Sequence, residues 1–147
     1  MSQEHKQLLA QFCSPGLSLQ LIDIGFDKNQ CFIELDGFEC PRHKFSSTNG
    51  GDYIKWDLKY DNNVPLILYQ QAIEFLSTNH NLNIETPMGK DEDYVWYDWN
   101  IESTILVKNY STDFEPLASS ESGLNTRQQA QHAAIEKCVE IIRSKNT

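Results

Sequence analysis

The side chains best equipped for chemistry are few and scattered. Cys40-Pro41-Arg42-His43 sets a thiol and an imidazole at metal-like spacing, with Cys31 nine residues upstream. A structural zinc site usually draws its ligands from two such half-sites, and only one is present. These residues read instead as one buried thiol, one loop thiol and a surface histidine, and no metal or other cofactor is expected. Cys13 and Cys138 complete a dispersed set of four cysteines, expected as free thiols in a reducing compartment. The histidines His5, His43, His80 and His132 have no nucleophile and orienting group spaced beside them. Ser46 to Asp52 (SSTNGGD) is Gly-rich but lacks the Lys-Ser/Thr pair and the following helix of a phosphate loop, so it reads as a turn. Asp91-Glu92-Asp93 lacks the glycine and distal glutamate of a calcium loop and reads as a solvated turn. No catalytic residue is expected.

Binding has more support. Tyr94 to Asn100, YVWYDWN, alternates as a strand of high aromatic density. With Val95, Tyr97 and Trp99 turned towards helices, Tyr94 and Trp96 fall on the open sheet face, where Phe32 and Tyr53 can join them. Exposed Trp and Tyr anchor protein interfaces or stack nucleobases. The neighbouring acids Asp91, Glu92 and Asp93 complete the candidate partner-binding set: Tyr94, Trp96, Asp91, Glu92 and Asp93.

Charge separates the two partner classes. The chain of 147 residues carries 21 acids against 12 bases, a net charge of −9. Nucleic-acid binders present basic patches that release counterions, and no basic run exceeds two residues here. A negative surface suits a basic protein partner, often one that itself binds nucleic acid. No apolar run is long enough for a membrane helix, so no membrane partner is expected. MSQEHKQLLAQF lacks the basic start of a secretory signal, which leads to a cytoplasmic expectation.

The positioning elements follow from caps and periodicity. Pro65 to Asn81 has helical spacing at Leu66, Tyr69, Ile73 and Leu76, broadened by Ala72 and Phe75, with Pro65 suited to the first helical position. A strand, Leu82 to Glu85, follows. Upstream, residues 3–12 suggest a short helix. Ser14 is an N-cap before Pro15, Leu17, Leu21 and Ile24 form a stripe, and Gly25 supplies a left-handed terminus. CFIEL (31–35) is a strand, Asp36-Gly37 a hairpin turn, and Phe38 to Phe45 a return strand that Pro41 confines to a sheet edge. Tyr53 to Tyr60 alternates with Ile54, Trp56 and Leu58 inward. Thr86 to Asp93 reads as a polar turn, Ser103 to Lys108 as a strand, and Asn109 to Asn125 as a long polar loop. Thr126 with Gln129 is a capping box, opening a helix whose stripe is Ala130, Ala134, Ile135, Cys138, Ile141 and Ile142.

The expected class is α+β, an antiparallel sheet with helices packed on one side and a C-terminal half in the order α-β-β-β-α. One domain, 1–147, is expected, divisible into lobes of about 1–62 and 63–147. The C-terminal order is similar to that of double-stranded-RNA-binding domains, but of the basic residues expected at the start of the last helix only Arg127 is present.

Three segments carry a family resemblance. LQLIDIGFDKNQCF (19–32), VPLILYQQAIEFLSTNHNLNIE (64–85) and NTRQQAQHAAIEKCVEII (125–142) resemble the G-F…C-F opening, the P-L-Y-Q-Q-A segment and the T-R-Q-E-A helix of small uncharacterised proteins from phages and other mobile elements. Tyr69-Gln70-Gln71-Ala72 match directly, while Phe75 and Leu76 take the aromatic positions. The resemblance implies a fold and a mobile-element origin and carries no activity. Small acidic proteins from that source include inhibitors of host defence systems, CRISPR effectors among them, so the expected partner is a host or defence-system protein. An RNA-binding module and a small enzyme of unknown class are the alternatives.

Overall fold

A computed structural model describes residues 3–35, 41–43, 64–106, 114–120 and 123–145. The protein is α+β, with four α-helices and antiparallel sheets among the described residues. It forms two compact units, Met1–Leu68 and Tyr69–Thr147.

The first unit opens with α1 (Gln3–Leu9) and α2 (Pro15–Asp23). Ser14 caps α2 as its sequence implies, its Oγ accepting the Leu17 N–H at 3.2 Å. At the other end Gly25 adopts φ 115°. The Phe26 N–H donates to the Leu21 carbonyl and the Gly25 N–H to Ile22, a Schellman closure that a residue with a Cβ would strain. β1 (Ile33–Leu35) lies between β2 (Pro41–His43) and β3 (Val64–Leu66), antiparallel to both. Both prolines therefore sit on edge strands, where a missing N–H costs no ladder bond. Phe12, Ile33 and Leu66 form the buried cluster of this sheet.

Pro65 is thus a correction. It belongs to β3, opposite Glu34, and the central helix begins four residues later. A proline satisfies the first turn of a helix and an edge strand equally well, and the burial available beside β1 decides for the strand. Asp36-Gly37, Cys40 and Tyr53 to Tyr60 lie outside the described residues.

Ser18 is the buried polar residue among the described residues of this unit. Its Oγ accepts the Ile67 N–H at 3.2 Å and donates to the Cys13 carbonyl at 3.5 Å, joining α2 to the chain after β3. Ser18→Ala leaves the Ile67 N–H unpaired in the interior and should lower stability by about 1–3 kcal/mol. Urea titration followed by circular dichroism measures the loss.

The second unit runs α3 (Tyr69–His80), β4 (Leu82–Glu85), β5 (Met88–Lys90), β6 (Val95–Tyr97), β7 (Asn100–Leu106), β8 (Phe114–Ser119) and α4 (Arg127–Lys145). Asn81, at φ 58°, turns the chain from α3 into β4. The main sheet has the order β4-β7-β8, all antiparallel. Taken with α3 and α4 this is an α-β-β-β-α order, but not with the three strands expected: β8 stands in the sheet in place of the aromatic strand, whose first part forms a separate hairpin, β5–β6, between the first and second strands.

Three expectations change here. Thr86 to Asp93 contains β5 rather than turn alone, and Asn109 to Asn125 contains β8. The aromatic strand divides into β6 and the start of β7. Ser120 holds the break between them: its Oγ accepts the Trp99 N–H at 3.1 Å and donates to Asp98 Oδ1 at 3.3 Å.

α4 starts with the expected capping box. Thr126 Oγ1 accepts the Gln129 N–H at 3.1 Å, and Gln129 Oε1 accepts the Thr126 N–H at 3.2 Å. Ala130, Ala134, Ile135, Cys138, Val139 and Ile142 are buried. Val139 takes the place expected of Ile141, which is half-buried. The core of this unit joins that stripe to Ala72, Phe75 and Leu76 of α3, Leu82 and Ile84 of β4, and Ile101 of β7.

Candidate functional site

The five candidate residues cluster on the β5–β6 hairpin. Its register pairs Met88 with Tyr97, Gly89 with Trp96 and Lys90 with Val95. The connecting turn is built by Asp91, whose Oδ1 accepts the N–H groups of Asp93 (2.8 Å) and Tyr94 (3.0 Å), while its own N–H donates to the Tyr94 carbonyl at 3.0 Å. Asp91 therefore shapes the turn, as short polar side chains do. The carboxylates of Glu92 and Asp93 are exposed and meet no partner among the described residues. At the hairpin base the Asp98 N–H donates to the Pro87 carbonyl at 2.9 Å. Tyr97 and Leu124 exchange two backbone hydrogen bonds of 2.8 Å.

Tyr94 and Trp96 share one face, as the period of two requires, with ring centroids 5.3 Å apart and tilted by 47°. Their environments differ. Tyr94 is 62% exposed, whereas Trp96 is half-buried across two glycines. A Cβ on Gly89 would come within 2.5 Å of Trp96 Cζ2 and Nε1, and one on Gly123 would come as close to Cδ1. Trp96 thus lies in a seat that only glycines leave open. Gly89→Ala should swing the indole out of that seat, at a cost of about 1–3 kcal/mol, with a red shift of tryptophan emission and a loss of near-ultraviolet ellipticity.

The expected burial of the other face does not hold. Val95 is 43% exposed and Met88 53%. The reason is the hairpin itself: β6 pairs with β5 and residue 124, outside the sheet that the helices cover. Tyr97 is half-buried beneath Arg127, whose guanidinium carbon stands 5.4 Å from the ring centroid. The sheet face turned away from Leu82, Ile84 and Ile101 carries Asn83, Glu85, Asn100 and Glu102, polar and acidic rather than aromatic. Phe32 is exposed in the first unit, and Tyr53 lies outside the described residues.

His132 has a partner on each side of its ring. His132 Nε2 meets Glu136 Oε1 at 2.7 Å, and its Nδ1 lies 3.4 Å from the Tyr69 hydroxyl. The contact with Tyr69 ties α3 to α4. The i, i+4 spacing of His132 and Glu136 was legible in the sequence; the approach of Tyr69 was not. A hollow of about 380 Å³ lies elsewhere, between β7 and β8, with Glu102 as its one charged lining residue.

Among the described residues no group of three or more His, Cys, Asp and Glu side chains is placed to hold a metal ion. Cys13, Cys31 and Cys138 are buried free thiols. Burial pushes Cys13 and Cys138 up from 9.0 to about 12, and the nearby Cys31 adds to the rise at Cys13. Unfolded thiols ionise near 9 and these do not, so their contribution to stability is complete below pH 9 and is lost between pH 9 and about 12. Stability should fall by about 1.4 kcal/mol per pH unit per thiol in that window. Denaturation midpoints at pH 8 and 10, for the wild type and Cys138→Ala, check this; the variant should show the shallower fall.

No described helix is long and apolar enough to cross a membrane. Comparison with known protein families, with curated proteins and with solved structures finds no match to this chain.

Proposed function

We propose that this chain is a non-enzymatic binding protein acting by protein–protein interaction, with the β5–β6 hairpin as its contact surface and a basic protein as its partner. In the concrete form of this reading the chain comes from a phage or other mobile element and works in the cytoplasm. Its partner is then a host defence protein with a nucleic-acid-binding surface, such as a CRISPR effector.

The observation that carries the reading is the exposure of Met88, Tyr94 and Val95 on one small hairpin beside the exposed carboxylates of Glu92 and Asp93. Exposed aromatic and apolar side chains supply the anchor of an interface, and the acids select a cationic surround. The net charge of −9 favours the same partner. An RNA-binding role has less support, because Glu85 and Glu102 lie on the face of the main sheet turned away from Leu82, Ile84 and Ile101, where they would repel phosphate.

Affinity purification of the tagged protein from its host, with and without nuclease, tests the reading. A stoichiometric protein that survives nuclease is the expected result. Enrichment that disappears with nuclease overturns it in favour of nucleic acid.

A further inference from the structure

We infer that the β5–β6 hairpin enters a cleft of its protein partner tip first, rather than lying on it with one face, and that the cleft carries cationic side chains at its floor. The inference rests on the binding role proposed above and adds the shape and chemistry of the surface that receives it.

The register decides the geometry. Met88, Lys90, Val95 and Tyr97 point to one side of the hairpin, and Gly89, Tyr94 and Trp96 to the other. A hairpin that docks like a plate needs one apolar face and keeps the other polar. Here each side holds a large apolar side chain in water: Met88 and Val95 on one, Tyr94 on the other. A single flat partner cannot cover both, whereas two walls of a cleft can. From Met88 to the turn at Glu92 the projection reaches on the order of 13 Å at about 3.3 Å per residue, enough to bury both sets of side chains.

The tip fits a cationic floor. Asp91 is spent on the turn, while the carboxylates of Glu92 and Asp93 are exposed without partners among the described residues. Lys90 is the single cation against these three acids, so the tip stays negative. The base is already fixed by the Asp98–Pro87 and Tyr97–Leu124 backbone bonds, so insertion requires little further ordering.

Site-specific photocrosslinking separates the geometries. p-Benzoylphenylalanine is placed singly at Met88, Val95 and Tyr94, and at the exposed Glu140 of α4 as a reference. Tryptophan emission checks that each hairpin is intact. The variants are irradiated in nuclease-treated host lysate. The expected result is one and the same protein captured from Met88, Val95 and Tyr94, with Met88 and Tyr94 joined to different peptides of it, and no adduct from Glu140. Capture from one side only overturns insertion and leaves the binding role standing. Absence of adducts from all three hairpin positions overturns both, as does equal capture from Glu140. Adducts at twice the mass of the chain indicate a second copy and overturn the choice of partner. For the floor, Glu92→Gln with Asp93→Asn should slow association with the captured protein about tenfold at low salt and flatten its salt dependence; an unchanged salt dependence overturns it.

Discussion

Tyr94→Ala will reduce capture of the partner by roughly a hundredfold while leaving the melting temperature unchanged. The magnitude follows from the cost of removing a central interface aromatic, about 2–4 kcal/mol, against the small stability contribution of a side chain that is already 62% exposed. Trp96 cannot serve the same purpose, because its ring fills the seat over Gly89 and Gly123. Trp96→Ala removes packing as well as any contact it makes, so a lost interaction would carry two meanings. A double replacement of Tyr94 and Trp96 has the same ambiguity. Tyr94→Phe is the useful companion: it keeps the ring and should retain most binding if the aromatic surface is the anchor. Quantitative pull-down and differential scanning calorimetry on the same preparations read both effects.

Ile101→Ala will destabilise the second unit by about 2–5 kcal/mol, the range for a large aliphatic side chain cut back to a methyl in a core that relaxes incompletely. Ile101 is fully buried on the central strand of the β4-β7-β8 sheet, opposite Ile84 on one side and Ala118 on the other. Both α3 and α4 depend on this sheet for the burial of their apolar stripes. Ala130 and Ala134 bring α4 close, and the fully buried Leu76 projects from α3. Ile101→Val should cost about 0.5–1.5 kcal/mol. Denaturant titration of the three proteins gives the series; equal midpoints for Ile101→Ala and the wild type would contradict the assignment of this strand to the core.

The parts of the fold written in local chemistry were legible from the sequence. Ser14-Pro15, Gly25 and the Thr126–Gln129 pair each name a helix end through a hydrogen bond made within a few residues, and all three are present. Signals with two local meanings were misread. Pro65 suits a helix start or an edge strand, and only its partner Glu34, far back in the chain, resolves the choice. Met88-Gly89-Lys90 has no apolar period, because Met88 and Lys90 both face water. β8 hides behind Pro116 at an irregularity in its pairing with β7.

The candidate site was legible in the same partial way. Alternation alone sets Tyr94 beside Trp96. It cannot reveal that Val95 also faces water, since that depends on β6 leaving the main sheet. Nor can it reveal the seat of Trp96, which needs Gly123 from another part of the chain. Three adjacent carboxylates look equivalent in sequence, yet Asp91 builds the turn while Glu92 and Asp93 meet no partner among the described residues.

Hydrogen exchange measured by mass spectrometry on the captured complex and on the free protein decides whether the hairpin is the contact surface. New amide protection is expected in residues 88–98, with α4 unchanged. Protection elsewhere, with the hairpin exchanging as it does in the free protein, would contradict it.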